Sequence, residues 1–228
     1  MGAQELSTDE LARLLRHKGF GNPAGDLWFV GIEERGGGTL EELQVRGKFR
    51  EFEDLAFAHS SEMLNFPMTT LIPTWATMSK IVLRLKGEHR WWDSEVIREY
   101  QSERLGRLGG ETFLTELLPL PAVSTSHWHY GRLYPSRDEY ERIEMPRRQK
   151  FIRTLFDQHQ PRFVFCYGKG YWKQYKGIFR TSFAPLLDGR LRIDRVAASS
   201  VVLTPFFFYF LMTKDVIEGL ARELIRRA

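Results

Sequence analysis

Two adjacent carboxylates, Glu33 and Glu34, follow a short apolar segment that ends at Gly31, and they precede the three glycines at positions 36–38. A carboxylate held beside a reacting centre stabilises positive charge that develops there, and it can orient or deprotonate a water molecule. The pair is therefore a candidate catalytic group for a hydrolysis. The alternative is that both are solvated loop side chains, which is the usual fate of an exposed Glu–Glu pair.

A third carboxylate, Glu116, lies inside the apolar segment FLTELLPLP. A buried charge is costly unless it is paired, so Glu116 in this position needs a partner. An ionised carboxylate only accepts hydrogen bonds, and its natural partner on a ligand is an exocyclic amine such as N4 of cytosine. A Glu116 that is protonated in a dry pocket would instead donate to a carbonyl. A salt bridge or a cap is the non-functional alternative.

Four further residues are weaker candidates. His127 and His129 alternate as on one face of an extended segment, but a metal site needs a third ligand and none is near in sequence, so no metal is expected. Lys169, with a glycine on each side, and Arg35 are candidates for contacts with phosphates. The glycines around Lys169 do not match the Walker pattern, so no nucleotide cofactor is expected.

Four apolar segments predict β-strands that must position these residues. The strands are expected at Leu27–Gly31, in TFLTELLPLP up to Pro119, at Arg162–Gly168 and at Val196–Leu203. Continuous apolar strands that alternate with helices are typical of a parallel sheet covered on both faces. Active sites in such sheets lie at the carboxyl ends of the strands, so the residues that follow each strand are the ones of interest.

Amphipathic and capped segments between the strands predict helices. These are expected in STDELARLLRHKGFG before Gly19, at Leu40–Ala58, Thr74–Leu85, Ser94–Leu105 and Pro146–His159, in YWKQYKGIF, and at Asp215–Arg227. The basic residues Arg147, Arg148 and Lys150 are typical of a solvated helix face.

The composition indicates a globular protein with a basic surface. The chain of 228 residues is 43% hydrophobic and 27% charged, which fits one domain over residues 1–228. A net charge of +4 and a pI near 9.2 suit a polyanionic partner. The polar start is unlike a signal peptide, and the longest apolar run, Val201–Met212, is too short to span a membrane. A cytoplasmic protein with no membrane partner is expected.

Three segments at the strand ends resemble the motifs of the uracil-DNA glycosylase superfamily in order and spacing. They are GIEERGG from Gly31, LTELLPLP with Glu116, and VVLTPFFF with Thr204 and Pro205. In that family the first loop reads G-Q-D-P-Y or a variant, the second strand carries an Asn, and the last strand ends in H-P-S or a variant. The resemblance covers nearly the whole chain. It implies an α/β fold, a three-layer αβα sandwich with a central four-stranded parallel sheet.

The resemblance also implies roles for individual residues. The third position of the family's first loop positions water and stabilises the sugar cation, and Glu33 occupies it here. Glu34, where the family usually has Pro, is the second catalytic candidate. The base-binding candidates are Ile32, Glu116 and, as a stacking ring in a loop, Phe66; the candidates for DNA contacts are Arg35, Lys169, Thr204, Pro205, Phe206, Phe207 and His127.

Two of the motifs depart from the family pattern. Glu116 stands in place of Asn, and Thr204, or Phe206 if the register slips by two, stands in place of His. The rings at positions 206–208 lie where family members insert an apolar wedge into the duplex, although a buried strand end explains them equally well.

Together these features predict a monofunctional DNA glycosylase that needs no cofactor and no obligatory protein partner. The altered base pocket favours a modified cytosine, such as glucosylated hydroxymethylcytosine in viral DNA, and hence antiviral defence. A repair glycosylase for uracil or another deaminated base, a non-catalytic DNA-binding relative, and a hydrolase or transferase for free nucleosides or nucleotides remain as alternatives.

Overall fold

The computed structural model of the chain describes residues 6–123, 128, 130–131, 133–208 and 210–227, and all of its strands belong to one sheet. The strands are β1 Gly19–Gly21, β2 Leu27–Glu33, β3 Phe52–Glu53, β4 Thr112–Leu118, β5 Phe163–Tyr167, β6 Ala184–Leu186, β7 Leu191–Val196 and β8 Ser199–Thr204.

The sheet has eight strands in the order β3-β1-β4-β2-β5-β8-β7-β6. The four neighbours β4, β2, β5 and β8 run parallel, whereas β1 is antiparallel to β4, and β7 is antiparallel to both β6 and β8. The predicted α/β class is confirmed, but the predicted four-stranded parallel sheet is wrong, because the sheet is mixed and twice as wide. The added strands β1, β3 and β6 have only two or three residues each, too few for a periodic pattern.

The predicted strand Val196–Leu203 is divided differently in the structure. Val196 ends β7, and β8 begins at Ser199, so the two strands form a hairpin. Ala197 in the connection has φ of 53°, a left-handed conformation that permits a two-residue turn. The sequence lacks the Asn-Gly or Asp-Gly pair that usually signals such a turn, and β7 was therefore missed.

Helices pack on both faces of the sheet. They are α1 Thr8–Arg16, α2 Leu40–Arg46, α3 Leu55–Ala58, α4 Pro73–Leu85, α5 Ser94–Glu103, α6 Arg137–His159, α7 Trp172–Phe179 and α8 Lys214–Arg227, with a short 3₁₀ turn at Lys169–Tyr171. Buried residues of α3, α4, α5 and α8 form one core cluster, and those of α1, α2, α6 and α7 form the other. Within the described residues, no helix has both the length and the apolar character required to cross a bilayer.

Two helices differ from their predicted bounds. The expected helix Leu40–Ala58 ends at Arg46, and a second, short helix begins at Leu55 with Asp54 as its cap. Helix α6 begins nine residues before the predicted start at Pro146, because Ser136 caps it by accepting from the backbone of Glu139. Pro146 lies inside α6, where it cannot donate the usual backbone hydrogen bond of the helix.

The predicted solvated face of α6 is wrong at Arg148, which is 4% exposed. Its guanidinium donates to the backbone carbonyl of Glu116 at 2.8 and 3.0 Å, to that of Lys18 at 3.2 Å, and to the hydroxyl of Thr115 at 3.0 Å. Burial lowers the pKa of Arg148 to about 10, so it stays charged at neutral pH. Arg148 therefore ties α6 to β4 and to the residue that precedes β1.

Replacement of Arg148 by Ala should lower the free energy of unfolding by about 3 kcal/mol or more, because each buried acceptor left without a donor costs about 1–3 kcal/mol. Denaturant titration measures this change. Lys150→Ala, at an exposed position of the same helix, is the matched control and should stay within about 0.5 kcal/mol of wild type. Equal losses in the two variants would show that the Arg148 hydrogen bonds do not stabilise the fold.

Candidate active site

Polar side chains gather at the carboxyl ends of the parallel strands. Glu33 ends β2, Glu116 lies near the end of β4, and Tyr167 ends β5. The register pairs Gly31 of β2 with Glu116 of β4. Since β2 lies between β4 and β5, Gly31 separates Glu116 from Tyr167.

Glu116 and Tyr167 meet above Gly31. The Tyr167 hydroxyl donates to Oε1 of Glu116 at 2.9 Å. The other carboxyl oxygen, Oε2, is buried and has no hydrogen-bond partner among the described residues. A Cβ atom at Gly31 would clash with both Oε2 of Glu116 and the Tyr167 hydroxyl, so only glycine leaves room for this contact.

The surroundings of Glu116 favour the uncharged acid. Burial, with a smaller contribution from the charge of Glu34, raises the pKa of Glu116 to about 8, although the Tyr167 hydrogen bond opposes part of the shift. Arg148 is the nearby cation, but it donates to the backbone carbonyl of Glu116 and not to its carboxyl group. At neutral pH Glu116 is therefore mainly protonated, and it can donate as well as accept.

Glu34 has the opposite environment. Its carboxylate forms an ion pair of 2.6 Å with Arg46 of α2, whose side chain is 6% exposed and which also pairs with Glu42 at 2.9 Å. Burial acts to raise the pKa of Glu34, but the charge and hydrogen bond of Arg46 outweigh it and hold that pKa below its ordinary value. Glu34 is thus ionised, whereas Glu116, with which it lines one cavity, is neutral.

Glu33 is held by a different cation. It forms an ion pair of 2.6 Å with Arg137 at the start of α6, and Arg137 also contacts Glu141 at 3.0 Å. Burial raises the pKa of Glu33, and the Arg137 hydrogen bond opposes that shift. The two adjacent carboxylates of the first loop are therefore bound to different helices.

A cavity of about 50 Å³ lies beside Glu116. It is lined by residues that include His17, Lys18, Phe20, Glu34, Trp75, Met78, Glu116, Arg148 and Tyr167. Glu34 lines this cavity, whereas Glu33 does not. The volume suits water molecules, and it is below the 300–1,000 Å³ of typical small-molecule pockets, so a ligand of the size of a nucleobase requires the cavity to widen.

The other predicted base-binding residues lie apart from Glu116. Ile32 packs against the core cluster that contains the buried residues of α6, and it is not among the residues that line the cavity. Phe66 is 39% exposed and contacts the His59 ring at 6.3 Å between centroids. His59 contacts Trp75 at 4.8 Å, so Phe66 reaches the cavity wall only through two further rings.

The aromatic residues after β8 fall into two groups. Phe207 is fully buried and stacks on Tyr167 with 4.5 Å between centroids, and Phe206 is partly buried beside it. In this conformation Phe207 belongs to the core and cannot contact DNA directly. The rings of Phe208 and Phe210 are 44% and 60% exposed, so they are better placed than Phe207 for the predicted wedge.

The residues predicted to contact DNA differ in their exposure to solvent. Arg35 and Lys169 are exposed. Thr204 is fully buried and its hydroxyl donates to the Pro205 carbonyl at 2.9 Å, so the Thr204 side chain is not available to DNA here, while Pro205 is partly exposed. His127, like His129, lies outside the described residues. Among the residues that are described, no three His, Cys, Asp or Glu side chains cluster as metal ligands.

Sequence reasoning missed five residues that shape the site: His17, Arg46, Arg137, Arg148 and Tyr167. Tyr167 could have been found, because it ends a predicted strand and the carboxyl ends of strands were already of interest. Arg137 and Arg148 act through contacts with residues distant in sequence, and Arg46 contacts Glu34 from the next helix. His17 belongs to no motif. No local pattern marked any of these four residues as functional.

The burial of Glu116 predicts that stability falls as the pH rises. The pKa of Glu116 rises from an ordinary 4.5 to about 8 on folding. Between those values the unfolded chain has lost a proton that the folded chain keeps, so the free energy of unfolding declines by roughly 3–5 kcal/mol and then levels off. Glu116→Gln cannot ionise, so this variant should gain stability relative to wild type as the pH rises through this range.

Glu34→Gln is the contrasting variant for this titration. Because the pKa of Glu34 is lowered, the stability that Glu34 contributes is present at neutral pH and is lost as the pH falls through its folded pKa. The deficit of Glu34→Gln should therefore shrink in acid. Denaturant titrations from well below the ordinary glutamate pKa of 4.5 up to about pH 8 measure both variants, and a constant difference between Glu116→Gln and wild type contradicts a neutral Glu116.

Comparison with known proteins adds no family to this description. No family model matches the chain, and a search of curated proteins finds no match to it.

Proposed function

We propose that the protein is a DNA glycosylase that hydrolyses the bond between a base and its deoxyribose. The observation that carries the proposal is the pair of carboxyl groups in one cavity, Glu34 ionised and Glu116 neutral, at the carboxyl ends of parallel strands. Two titratable groups whose pKa values are displaced in opposite directions are a frequent mark of a catalytic site.

Glu34 is the catalytic carboxylate in this proposal. Cleavage of an N-glycosidic bond develops positive charge on the sugar, and a fixed anion stabilises it and orients the attacking water. Arg46 keeps Glu34 charged and in one position. Glu33 had the closer match to the family motif, but it does not line the cavity, and this favours a structural role for Glu33.

Glu116 contacts the base as a hydrogen-bond donor. As the bond to the sugar breaks, negative charge develops on the departing base, and a donor aimed at a base carbonyl stabilises that charge. A neutral Glu116 also removes the specific argument for an exocyclic amine, which needed an ionised carboxylate. This favours uracil or another deaminated base over a modified cytosine. The small cavity supports the same choice, because a glucosylated base requires far more widening.

The surface around the site supports a polymeric substrate. Arg35 follows Glu34 directly, Lys169 follows β5, and both are exposed. The exposed ring of Phe208 follows β8, where an apolar side chain can wedge into the duplex as a base leaves the stack. A free nucleoside would need neither the wedge nor several separate cations.

Glu34→Gln should reduce base release by about a hundredfold or more, because it removes an electrostatic stabiliser from the transition state. Glu33→Gln is the matched neighbour and should retain most of the activity. The assay uses matched oligonucleotides with uracil, hypoxanthine, cytosine, hydroxymethylcytosine or glucosylated hydroxymethylcytosine, followed by alkaline cleavage at abasic sites and mass spectrometry of the released base.

DNA binding of each variant is the control for this experiment, since a variant that still binds has kept its fold. A Glu33→Gln variant that loses activity while Glu34→Gln keeps it would reverse the catalytic assignment. Absence of base release from every oligonucleotide by the wild type would contradict the proposed function and favour a non-catalytic DNA-binding protein.

Two replacements of Glu116 test its role as a hydrogen-bond donor to the carbonyl of the base. Glu116→Gln keeps a donor of similar shape and should retain part of the activity on a carbonyl-bearing base, whereas Glu116→Ala should lose about tenfold to a hundredfold, the value of one well-placed contact with a base. Initial rates on the best substrate measure both. A Gln variant as inactive as the Ala variant, with both still folded, would contradict the role of Glu116 as a neutral hydrogen-bond donor.

A further inference from the structure

Two buried polar atoms in the wall of the cavity lack a partner among the described residues. One is Oε2 of Glu116, and the other is Nε2 of His17. A buried polar atom without a hydrogen bond costs stability, so two of them beside one cavity require an explanation. A bound molecule that donates to Nε2 of His17 and accepts from Oε2 of Glu116 would supply it, and a nucleobase would do so once the cavity widens.

The position of His17 is fixed from its other side. Nδ1 of His17 lies 3.0 Å from the backbone carbonyl oxygen of Arg50, and a carbonyl only accepts, so Nδ1 carries the proton. The ring packs against Phe20 at 4.6 Å and Phe49 at 5.5 Å between centroids. Held in this way, the His17 ring has one nitrogen, Nε2, without a partner among the described residues, and His17 is one of the residues that line the cavity.

That nitrogen is an acceptor. Burial lowers the pKa of His17, and the charges of Arg148 and Arg46 lower it further, whereas Glu34 and the Arg50 carbonyl oppose the shift. The imidazole is therefore neutral, with its proton on Nδ1 and a lone pair on Nε2. The cavity thus offers one acceptor, His17, and one donor, the protonated Oε2 of Glu116.

We propose that His17 is a specificity-determining residue that accepts a hydrogen bond from the ring N–H of the bound base, while Glu116 donates to the carbonyl next to that N–H. The inference rests on the proposed function, and it names the class of base. A ring N–H beside a carbonyl is a lactam, as in uracil and hypoxanthine. Cytosine has an unprotonated nitrogen at the corresponding position, which would face the lone pair of His17.

The test compares three bases on duplexes that the enzyme cannot cleave. Fluorine at the 2′ position of the target sugar destabilises the cation, so uracil, 3-methyluracil and cytosine can be compared by binding alone. The methyl group of 3-methyluracil removes the N–H and leaves the carbonyls in place. Fluorescence anisotropy gives the dissociation constants for wild type, His17→Phe, which keeps a ring without an acceptor, and His17→Gln, which keeps an acceptor.

Wild type should bind the uracil duplex about tenfold to a hundredfold more tightly than the 3-methyluracil duplex. His17→Phe should lose affinity for uracil and not for 3-methyluracil, so that the ratio approaches one, and His17→Gln should keep a preference for uracil. Thermal unfolding shows whether each variant is folded. A merely structural His17 would weaken the binding of both duplexes equally, and that outcome overturns the inference.

Two further readouts separate this inference from the proposed function. In one outcome, the wild type prefers uracil in a way that depends on His17 and yet releases no base from unfluorinated duplexes. That result would contradict the proposed glycosylase activity and support the recognition of the base by His17. Base release by the wild type, together with equal affinity for the uracil and 3-methyluracil duplexes, would support the glycosylase activity and contradict the recognition by His17. Equal His17-dependent binding of cytosine and uracil would overturn the lactam class.

A second experiment uses ¹⁵N-histidine spectra. Free uracil should shift the resonance of Nε2 of His17, and an unchanged resonance counts against the inference.

Discussion

The hydrogen bond from Tyr167 to Glu116 is the contact on which the geometry of the cavity depends. It joins β5 to β4 across the intervening strand β2, which is possible only because Gly31 has no side chain at the crossing point. Phe207 stacks on the far side of the Tyr167 ring and is itself buried against Phe29, so the hydroxyl has little freedom to move. One carboxyl oxygen is satisfied by this bond, and the other is left for the cavity.

This geometry gives two glutamates opposite chemical states within one site. Arg46 stabilises the charge of Glu34, whereas Glu116 receives only a neutral hydroxyl and takes on the proton. The two states support each other, because the anion at Glu34 raises the pKa of Glu116. A change that removed the charge of Glu34 would therefore also make Glu116 more acidic, so the two residues should not behave additively when both are replaced.

The sequence was sufficient for the class of the fold and for the four central strands, because those strands are long and apolar and are separated by capped helices. It was also sufficient to direct attention to the strand ends, where Glu33, Glu34 and Glu116 lie. It could not decide which of Glu33 and Glu34 lines the cavity, since no local pattern marks their ion pairs with Arg137 of α6 and Arg46 of α2. Tyr167 was within reach of the same rule about strand ends, but His17 had no pattern that marks a functional residue.

The two buried polar atoms in the cavity wall that have no partner among the described residues lower the stability of the fold. Arg148 donates to four acceptors: the backbone carbonyls of His17, Lys18 and Glu116, and the hydroxyl of Thr115. These bonds fix the backbone beside both His17 and Glu116. The unpartnered Oε2 and Nε2 atoms are therefore not the result of loose packing, since the backbone beside them is tied down. Two buried polar atoms that have no partner in the described part of the chain cost stability locally, and such local costs are typical of binding sites. Substitutions that satisfy those atoms within the protein should stabilise the fold and impair recognition of the ligand.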